Sequence, residues 1–371
     1  MAESFLPRVN GVSNSVYRVS QEMSARGIDY LIVAPSAPSE LHSPYDLSDL
    51  HVERTEFIQL SGIPDFEVAK CTVARLRKIL MRFKPDVVHL ASPFVLGWLG
   101  LRAARSLNIP TVSIYQTDVS GFAQFYGYPL AAKLAANWTY MIHRKSDLNL
   151  VPSTPVLNEF LQNGINNTKI WGRGVDLELF HPKRRDQKLR SVWAENEKII
   201  VGFVGRLAPE KQVDRLSNLD NDMFQLVVIG DGPDREKLTK LLPSAIFTGR
   251  LTGEALATAM ASLDVLVSPG EHETFCQVIQ ESMASGIPVI APRSGGPIDL
   301  VRSGVSGFLY QPGNSSDLLT KLMNFRSDAS LLGQFGSTAR NLVENKSWAA
   351  LTDQLISHYI SVLPVELRRA G

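Results

Sequence analysis

The stretch VLVSPGEHETFCQVIQESMASGIPVIAP, Val265 to Pro292, decides the fold. It opens on a β-branched run, Val265 to Pro269, and turns through a glycine and polar residues. A helical pattern then starts near Phe275, and a second apolar run begins at Pro288. Strand, helix and strand in about thirty residues make a βαβ unit, and two strands joined by such a crossover lie parallel.

The same alternation extends in both directions. Upstream in this half stand IIVGFVG from Ile199, LVVIGDG from Leu226 and AIFTG from Ala245; nearer the amino terminus stand LIVAP from Leu31, VVHLAS from Val87, TVSIY from Thr111 and LNLVPS from Leu148. Two series of apolar runs separated by helical patterns predict two parallel sheets, and 371 residues suffice for two domains. The expected fold is α/β, with two Rossmann-like domains facing across a cleft at the carboxyl ends of their strands. WGRGVDLELFHPKRRDQK, from Trp171, breaks the periodicity, which places a hinge near Phe180 to Asp186. The expected domains are 1–183 and 184–347, followed by 348–371 with a helix from Trp348 to Val362 whose packing partner the sequence leaves open. Only MAESFLP precedes Arg8, so the first strand of the amino-terminal domain reads as truncated; a start codon assigned too late is favoured over a genuinely shortened chain.

Composition narrows the function classes. Lys and Arg number 38 against 37 Asp and Glu, so no global field recruits nucleic acid, and any basic surface is local. Cys71 and Cys276 support neither a disulfide framework nor a zinc cluster. The amino terminus lacks a basic region followed by an apolar run, and no stretch supplies about 18 uninterrupted apolar residues. A cytoplasmic protein is expected.

Residues at the strand ends carry the chemistry. A helix beginning after the Glu273 turn would aim backbone N–H groups of Thr274, Phe275, Cys276 and Gln277 at an anion, and a diphosphate suits that site. Glu273 and Glu281 bracket it with carboxylates that accept from sugar or ribose hydroxyls. Alone, each Glu reads as a dipole-favoured or solvated residue. The segment GFVGRLAPEKQ changes that reading, because Arg206 at a strand end and Lys211 at the start of the next helix can neutralise a departing diphosphate.

Taken together, the Gly11 loop, GRLAPEKQ, VVIGDGP, FTGRL, the E-x7-E pair Glu273 and Glu281, MASGIPVIAP and GGPIDLVRSGVSGFLY resemble the retaining GT-B glycosyltransferases over nearly the whole chain. The resemblance implies that Arg206 and Lys211 bind the diphosphate, Glu273 contacts the sugar and Glu281 the ribose. It also places Gly11 near the donor phosphates and Arg250 and Leu251 at the nucleotide base. YQTDVSGFAQFYG and AESFLPRVNGVSNSV look like the actinobacterial mannosyltransferases that modify glycolipids, including phosphatidylinositol mannosides. GDP-mannose is then the implied donor, a lipid or glycolipid hydroxyl the acceptor, and no metal or other cofactor is implied. No D-x-D pair stands at a suitable strand end, so the cations and the helix terminus take the place of a divalent ion. Rival readings are a catalytically silent sugar-nucleotide binder and a nucleotide-sugar epimerase or hydrolase of the same plan.

Departures from the family pattern qualify the site. Tyr115, Gln116, Thr117 and Asp118 stand where many relatives carry a histidine; Gln116 cannot accept a proton, and Asp118 reads equally as a catalytic proton acceptor and as a helix cap. His89 reads more readily as a core residue than as a cleft residue. Cys276 replaces a glycine common in the motif and reads as packing, with no sign of an activated thiolate.

From Phe66 to Lys84 the chain reads as a basic amphipathic helix. Val73, Leu76, Leu80 and Phe83 recur at helical spacing, with Lys70, Arg75, Arg77, Lys78, Arg82 and Lys84 set against the single Glu67. An ordinary surface helix is the commoner case, but a lipid acceptor favours contact with an anionic membrane, on the inner face of the cell membrane. Protein partners are unknown from the sequence.

Overall fold

The β-branched runs become strands in the computed structural model, which describes residues 1–8, 10–37, 47–59, 67–116, 129–194 and 198–365. Two units emerge, one formed by Met1–Arg173 and the segment from Trp348 onward, the other by Gly174–Ser347.

The first unit contains α1 (Gly11–Ala25), β1 (Ile32–Pro35), β2 (Val52–Gln59), β3 (Glu67–Lys70), α2 (Val73–Phe83), β4 (Val88–Leu90), α3 (Val95–Arg105), β5 (Thr111–Ile114), α4 (Pro129–Lys145), β6 (Leu148–Val151), α5 (Thr154–Gln162) and β7 (Thr168–Ile170). Its strands form two sheets, β1-β2-β3 and β4-β5-β6-β7. Where the sequence reading expected a truncated first strand, Ala2 N–H donates to Val33 of β1 at 3.0 Å and Ala91 N–H donates to Met1 at 2.9 Å.

The second unit continues with α6 (Gln187–Trp193), β8 (Ile199–Val204), β9 (Phe224–Ile229), α7 (Arg235–Leu241), β10 (Ile246–Gly249), α8 (Gly253–Ala261), β11 (Val265–Val267), α9 (Gln277–Ala284), β12 (Val289–Pro292), α10 (Pro297–Leu300), β13 (Gly307–Tyr310), α11 (Ser315–Ser327) and α12 (Ser330–Val343). One parallel sheet runs β10-β9-β8-β11-β12-β13. Ile200, Val227 and Ile229 enter one core, while Ile199, Val201, Phe203, Leu226 and Val228 enter another. Alternate side chains on the same strands are therefore buried on both faces, which is why these strands read as unbroken apolar runs.

The structure corrects one expected element and adds to two other readings. The compact units divide at Arg173/Gly174, ten residues ahead of the expected 183/184, because Val175 already bonds Lys346 and Phe180 already packs in a core of the second unit. Arg340 donates to the carbonyls of Leu177, Phe180 and Ala284, tying this connecting segment down. Residues 67–70 form a strand and α2 starts at Val73 behind the Thr72 cap, so Lys70 is not a helical residue. The carboxyl-terminal helix α13 (Trp348–Val362), left unplaced by the sequence, packs on α1: Trp348, Leu351 and Leu355 share a core with Val19 and Met23, and Trp171 Nε1 donates to Leu351 at 2.9 Å.

Helix α3 shows how this unit completes its local structure at long range. Its cap position is Phe94, which has no side chain to offer the orphan N–H groups. The buried Glu3 carboxylate supplies the acceptor, taking Leu96 N–H at 2.6 Å and, on its other oxygen, Ala69 N–H at 2.7 Å. Burial pushes the Glu3 carboxyl up from 4.5 to about 7, the backbone donors opposing it only in part. Because the folded value lies above the unfolded one, this contribution to stability is full below about pH 4.5 and lost as pH rises through about 7. Calorimetry is expected to show the wild-type melting temperature falling across that window and Glu3→Gln flattening the slope; parallel slopes would refute the assignment.

Candidate donor-sugar and diphosphate site

Strand β8 lies between β9 and β11, so the loops leaving the carboxyl ends of these three strands are neighbours. Their close approach depends on small residues. A Cβ on Gly230 would meet the Gly205 carbonyl at 1.8 Å, and one on Gly232 would meet the Leu207 carbonyl at 2.3 Å. GDG therefore lets the β9 loop press against GRL in the β8 loop.

Arg206 lies in that β8 loop, two residues past the strand; it is exposed and meets no partner among the described residues. Lys211 does not start an α-helix. Pro209–Lys211 is a single 3-10 turn that ends at Gln212 in the left-handed region, φ 52°, and a second short turn, Val213–Leu216, follows. This bent path points the two cations of the segment, Lys211 and Arg215, at the β11 loop. Lys211 Nζ meets Glu273 Oε1 at 2.5 Å, and Arg215 pairs with Glu271.

The Lys211–Glu273 pair is about three-quarters buried or more on each side. Burial works against the Lys211 ammonium, but the charge and hydrogen bond of Glu273 more than offset it, and the ammonium is held above its ordinary value. Glu273 thus keeps the Lys211 ammonium charged at this partly buried position.

Behind Glu273 lies Gly295–Gly296. Gly295 has φ 58° and would bring a Cβ to 2.2 Å from the Glu273 carbonyl; Gly296 N–H donates to that same carbonyl at 2.7 Å. The double glycine is what allows this backing.

The helix after this loop begins later than its sequence suggests. Cys276 has φ 73°, so the chain enters α9 only at Gln277, and the leading N–H groups belong to Gln277 and Val278 rather than to Thr274 or Phe275. Glu281 is then just over one turn into the helix, half-buried, not two turns in. Cys276 stands in a conformation that favours glycine, packed in the core with Sγ 3.4 Å from Ser268 Oγ. Burial and the Glu273 charge push its thiol up to about 12, so it stays protonated at neutral pH.

A strand-end loop with two cations, a carboxylate locked to one of them and a helix amino terminus beside it can hold a diphosphate and a polyol together. The family models agree: residues 9–179 match Glycosyltransferase Family 4 and residues 185–342 match Glycosyl transferases group 1. The chain is a group 1 glycosyltransferase. A GDP-mannose-dependent alpha-mannosyltransferase of Mycolicibacterium smegmatis is 45% identical over 100% of this chain and 99% of its own length. One of the same name from Mycobacterium tuberculosis is 44% identical over 98% and 96%. Among solved structures, Anabaena HepE in complex with UDP superposes with TM-score 0.76 at 20% identity, covering 97% of this chain and 98% of that one. Sucrose-phosphate synthase of Thermosynechococcus elongatus gives 0.77 at 20%, covering 98% and 95%. These likenesses give the GT-B fold.

The other expected site residues of the glycosyltransferase are spread along both units. Gly11 opens α1 behind an Asn10 capping box, and Arg173 Nη1 donates to its carbonyl at 2.9 Å; a Cβ there would lie 2.6 Å from that guanidinium nitrogen. Arg173, which the sequence reading passed over as linker, therefore fixes the Gly11 turn. Arg250 is exposed and Leu251 half-buried after β10. Asp118 and Thr117 lie outside the described residues. His89 is half-buried: burial of its ring lowers it to about 3, and Nδ1 bonds the Tyr359 hydroxyl. Also missed were Glu271 and Arg215. Glu271 accepts from Gly313 N–H at 2.6 Å as well as pairing with Arg215, and its carbonyl accepts from Ser294 Oγ at 3.0 Å. Cations four apart facing carboxylates two apart were a readable signal for both pairs.

On α2, Leu76 and Leu80 of the expected apolar stripe are buried, while Val73 and Phe83 are half-buried and Ile79, outside that stripe, joins the buried set. The expected charge balance is corrected, because β2 brings acids beside it: Arg82 pairs with Glu53 at 2.6 Å and Lys70 with Glu56 at 2.9 Å. Arg75 donates to the Arg54 carbonyl at 2.9 Å and lies within the field of Glu56, while Lys78 and Lys84 are exposed and Arg77 is half-buried.

Proposed function

We propose that this glycosyltransferase moves mannose from GDP-mannose to a hydroxyl of a lipid or glycolipid, with retention of configuration, while working at the inner face of the cell membrane. The observation that carries the reading is the Lys211–Glu273 pair at the mouth of α9, in a chain 45% identical end to end to a GDP-mannose-dependent alpha-mannosyltransferase. Glu273 accepts from a sugar hydroxyl, and Glu281 from the ribose. Arg206, Lys211 and the N–H groups of Gln277 and Val278 take the growing charge on the diphosphate as the glycosidic bond breaks, which is the work a divalent ion does elsewhere. The acceptor hydroxyl then attacks from the face the diphosphate leaves, and the departing phosphate oxygen takes its proton. No protein base is required, consistent with Gln116 in place of a histidine.

The lipid acceptor is supported by relatives named for such substrates, a phosphatidylinositol dimannoside mannosyltransferase of Mycobacterium tuberculosis at 29% identity and an alpha-monoglucosyldiacylglycerol synthase of Acholeplasma laidlawii at 22%. No helix among the described residues is long and apolar enough to cross a membrane, so access to such an acceptor falls to a peripheral surface. Incubation with radiolabelled GDP-mannose or UDP-glucose and an actinobacterial lipid extract is expected to carry label into the organic phase from GDP-mannose alone. Label released only as free mannose would identify a hydrolase instead, and transfer from UDP-glucose alone would overturn the donor.

A further inference from the structure

Among the described residues, four other than glycine hold a left-handed backbone: Lys84, Asn108, Gln212 and Cys276. Lys84 ends α2 with its N–H on the Leu80 carbonyl at 2.7 Å, and Asn108 follows the end of α3 with its N–H on the Arg105 carbonyl at 3.2 Å. Helices commonly end in this way. The other two stand on the loops that leave β8 and β11 and that meet through Lys211 and Glu273. There the conformation strains any residue with a side chain, and such strain gathers at functional sites.

The core that Cys276 fills accounts for its side chain. Nothing of the kind accounts for Gln212. It joins two single 3-10 turns at φ 52° and ψ 38°, with its N–H on the Pro209 carbonyl at 3.1 Å and its carbonyl taking Arg215 N–H at 3.2 Å. Glycine would make the same junction without strain. The Gln212 carboxamide makes no hydrogen bond among the described residues, yet its Oε1 is closed to solvent. A buried acceptor without a donor is destabilising, so this side chain adds a second cost to that of the bend.

Gln277, the first residue of α9, is in a similar condition. Its Nε2 donates to the Gly174 carbonyl at 2.9 Å, while its Oε1 is buried with no donor among the described residues. It follows Cys276, whose thiol lies within the fields of Glu273 and Lys211. Gln212 and Gln277 are thus the chain neighbours of groups that meet around Glu273, and both present an acceptor. A phosphate oxygen, itself an acceptor, satisfies neither; a hydroxyl group satisfies either one.

We propose that Gln212 is a further donor-binding residue, its buried carboxamide oxygen accepting from a hydroxyl of the transferred hexose. The hexose is favoured over the ribose because Gln212 adjoins Lys211, the partner of the sugar-contacting Glu273, whereas Glu281 lies more than a turn into α9. That choice rests on the donor reading above; the need for a hydroxyl rests on the side chain itself. Gln212 then distinguishes a sugar nucleotide from the nucleoside diphosphate it leaves behind.

Calorimetric titration of the full-length protein with GDP-mannose and with GDP tests this in wild type, Gln212→Gly and Gln212→Asn. In Gln212→Gly the affinity for GDP-mannose is expected to fall roughly three- to tenfold, as for loss of one uncharged hydrogen bond, with the affinity for GDP unchanged. KM for GDP-mannose should rise by a similar factor, while the melting temperature holds or increases because glycine relieves the bend. Gln212→Asn keeps a carboxamide in a residue that tolerates this backbone and is expected to recover part of the loss. A Gln212→Gly protein that binds GDP-mannose as tightly as wild type would assign the buried oxygen to a bound water and overturn the contact. Equal losses for GDP and GDP-mannose would move the residue to the nucleotide and overturn it too. Wild-type protein that prefers UDP-glucose and UDP to both guanine nucleotides would overturn the donor reading instead, and the same comparison with that pair would still decide the hexose contact.

Discussion

Lys211→Ala is expected to lower turnover by roughly a hundred- to a thousandfold, as loss of one preorganised charge at a leaving group costs about 2.7 to 4 kcal/mol. Glu273→Ala should fall in the same range, for a different reason: it removes the sugar acceptor and also frees Lys211 from the contact that aims it. The double variant is therefore expected to be much less impaired than the product of the two single losses, since each single change already disables the other residue. The rival explanation is that the pair merely clips two loops together. That reading predicts a lowered melting temperature with turnover near wild type in whatever fraction stays folded. Steady-state kinetics on folded Lys211→Ala, alongside its melting curve, separates the two, and full activity would remove Lys211 from the donor site.

The second large effect is expected at Glu271, a residue whose carboxylate is taken up by partners within the protein. Its carboxylate joins Arg215, Gly313 and, through its own backbone, Ser294, while the Tyr310 hydroxyl donates to the Pro269 carbonyl in the same loop. Glu271 and Glu273 are two residues apart on one loop, and Lys211 and Arg215 are four apart on the other, so the two ion pairs act as a double clasp. Glu271→Ala leaves the Arg215 guanidinium and the Gly313 N–H without their acceptor. Solvent reaches the pair in part, so the loss of stability is about 2 kcal/mol rather than the larger figure for a fully buried pair. Loosening the loop also moves Glu273, and displacements near 1 Å at a reacting centre cost up to a hundredfold. Turnover is expected to drop roughly ten- to a hundredfold in Glu271→Ala with KM for the donor less affected, and Glu271→Gln, which keeps an acceptor for Gly313, should recover part of it. A Glu271→Ala enzyme that melts early but turns over normally would make the second clasp structural only.

The sequence by itself determined whatever depends on neighbours along the chain. Runs such as IIVGFVG and LVVIGDG are apolar on consecutive residues because both faces of their strands are covered, so they announced a parallel sheet without any knowledge of its partners. Strands β2 and β3 did not announce themselves: VERTEFIQ has mostly half-exposed or exposed residues, and β3, with EVAK, is the sheet's edge. The amphipathic period of α2 and the span of α13 were equally local and were read correctly.

What only the tertiary structure decided depends on residues far apart in the chain. Which carboxylate faces Lys211 follows from β8 lying beside β11 in the strand order, and the bend that turns Arg215 toward Glu271 comes from Gln212 in a left-handed conformation. The delayed start of α9 has the same kind of cause, since Cys276 adopts a positive φ that its side chain disfavours and its packing against the core holds. Charge on the α2 face could not be counted from α2, because Glu53 and Glu56 arrive from a strand some twenty residues earlier, whereas α3 and α4 add only cations. Local periodicity fixes which side of an element is buried. Where its charges end up is set by long-range packing, to which no pattern of neighbouring residues gives access.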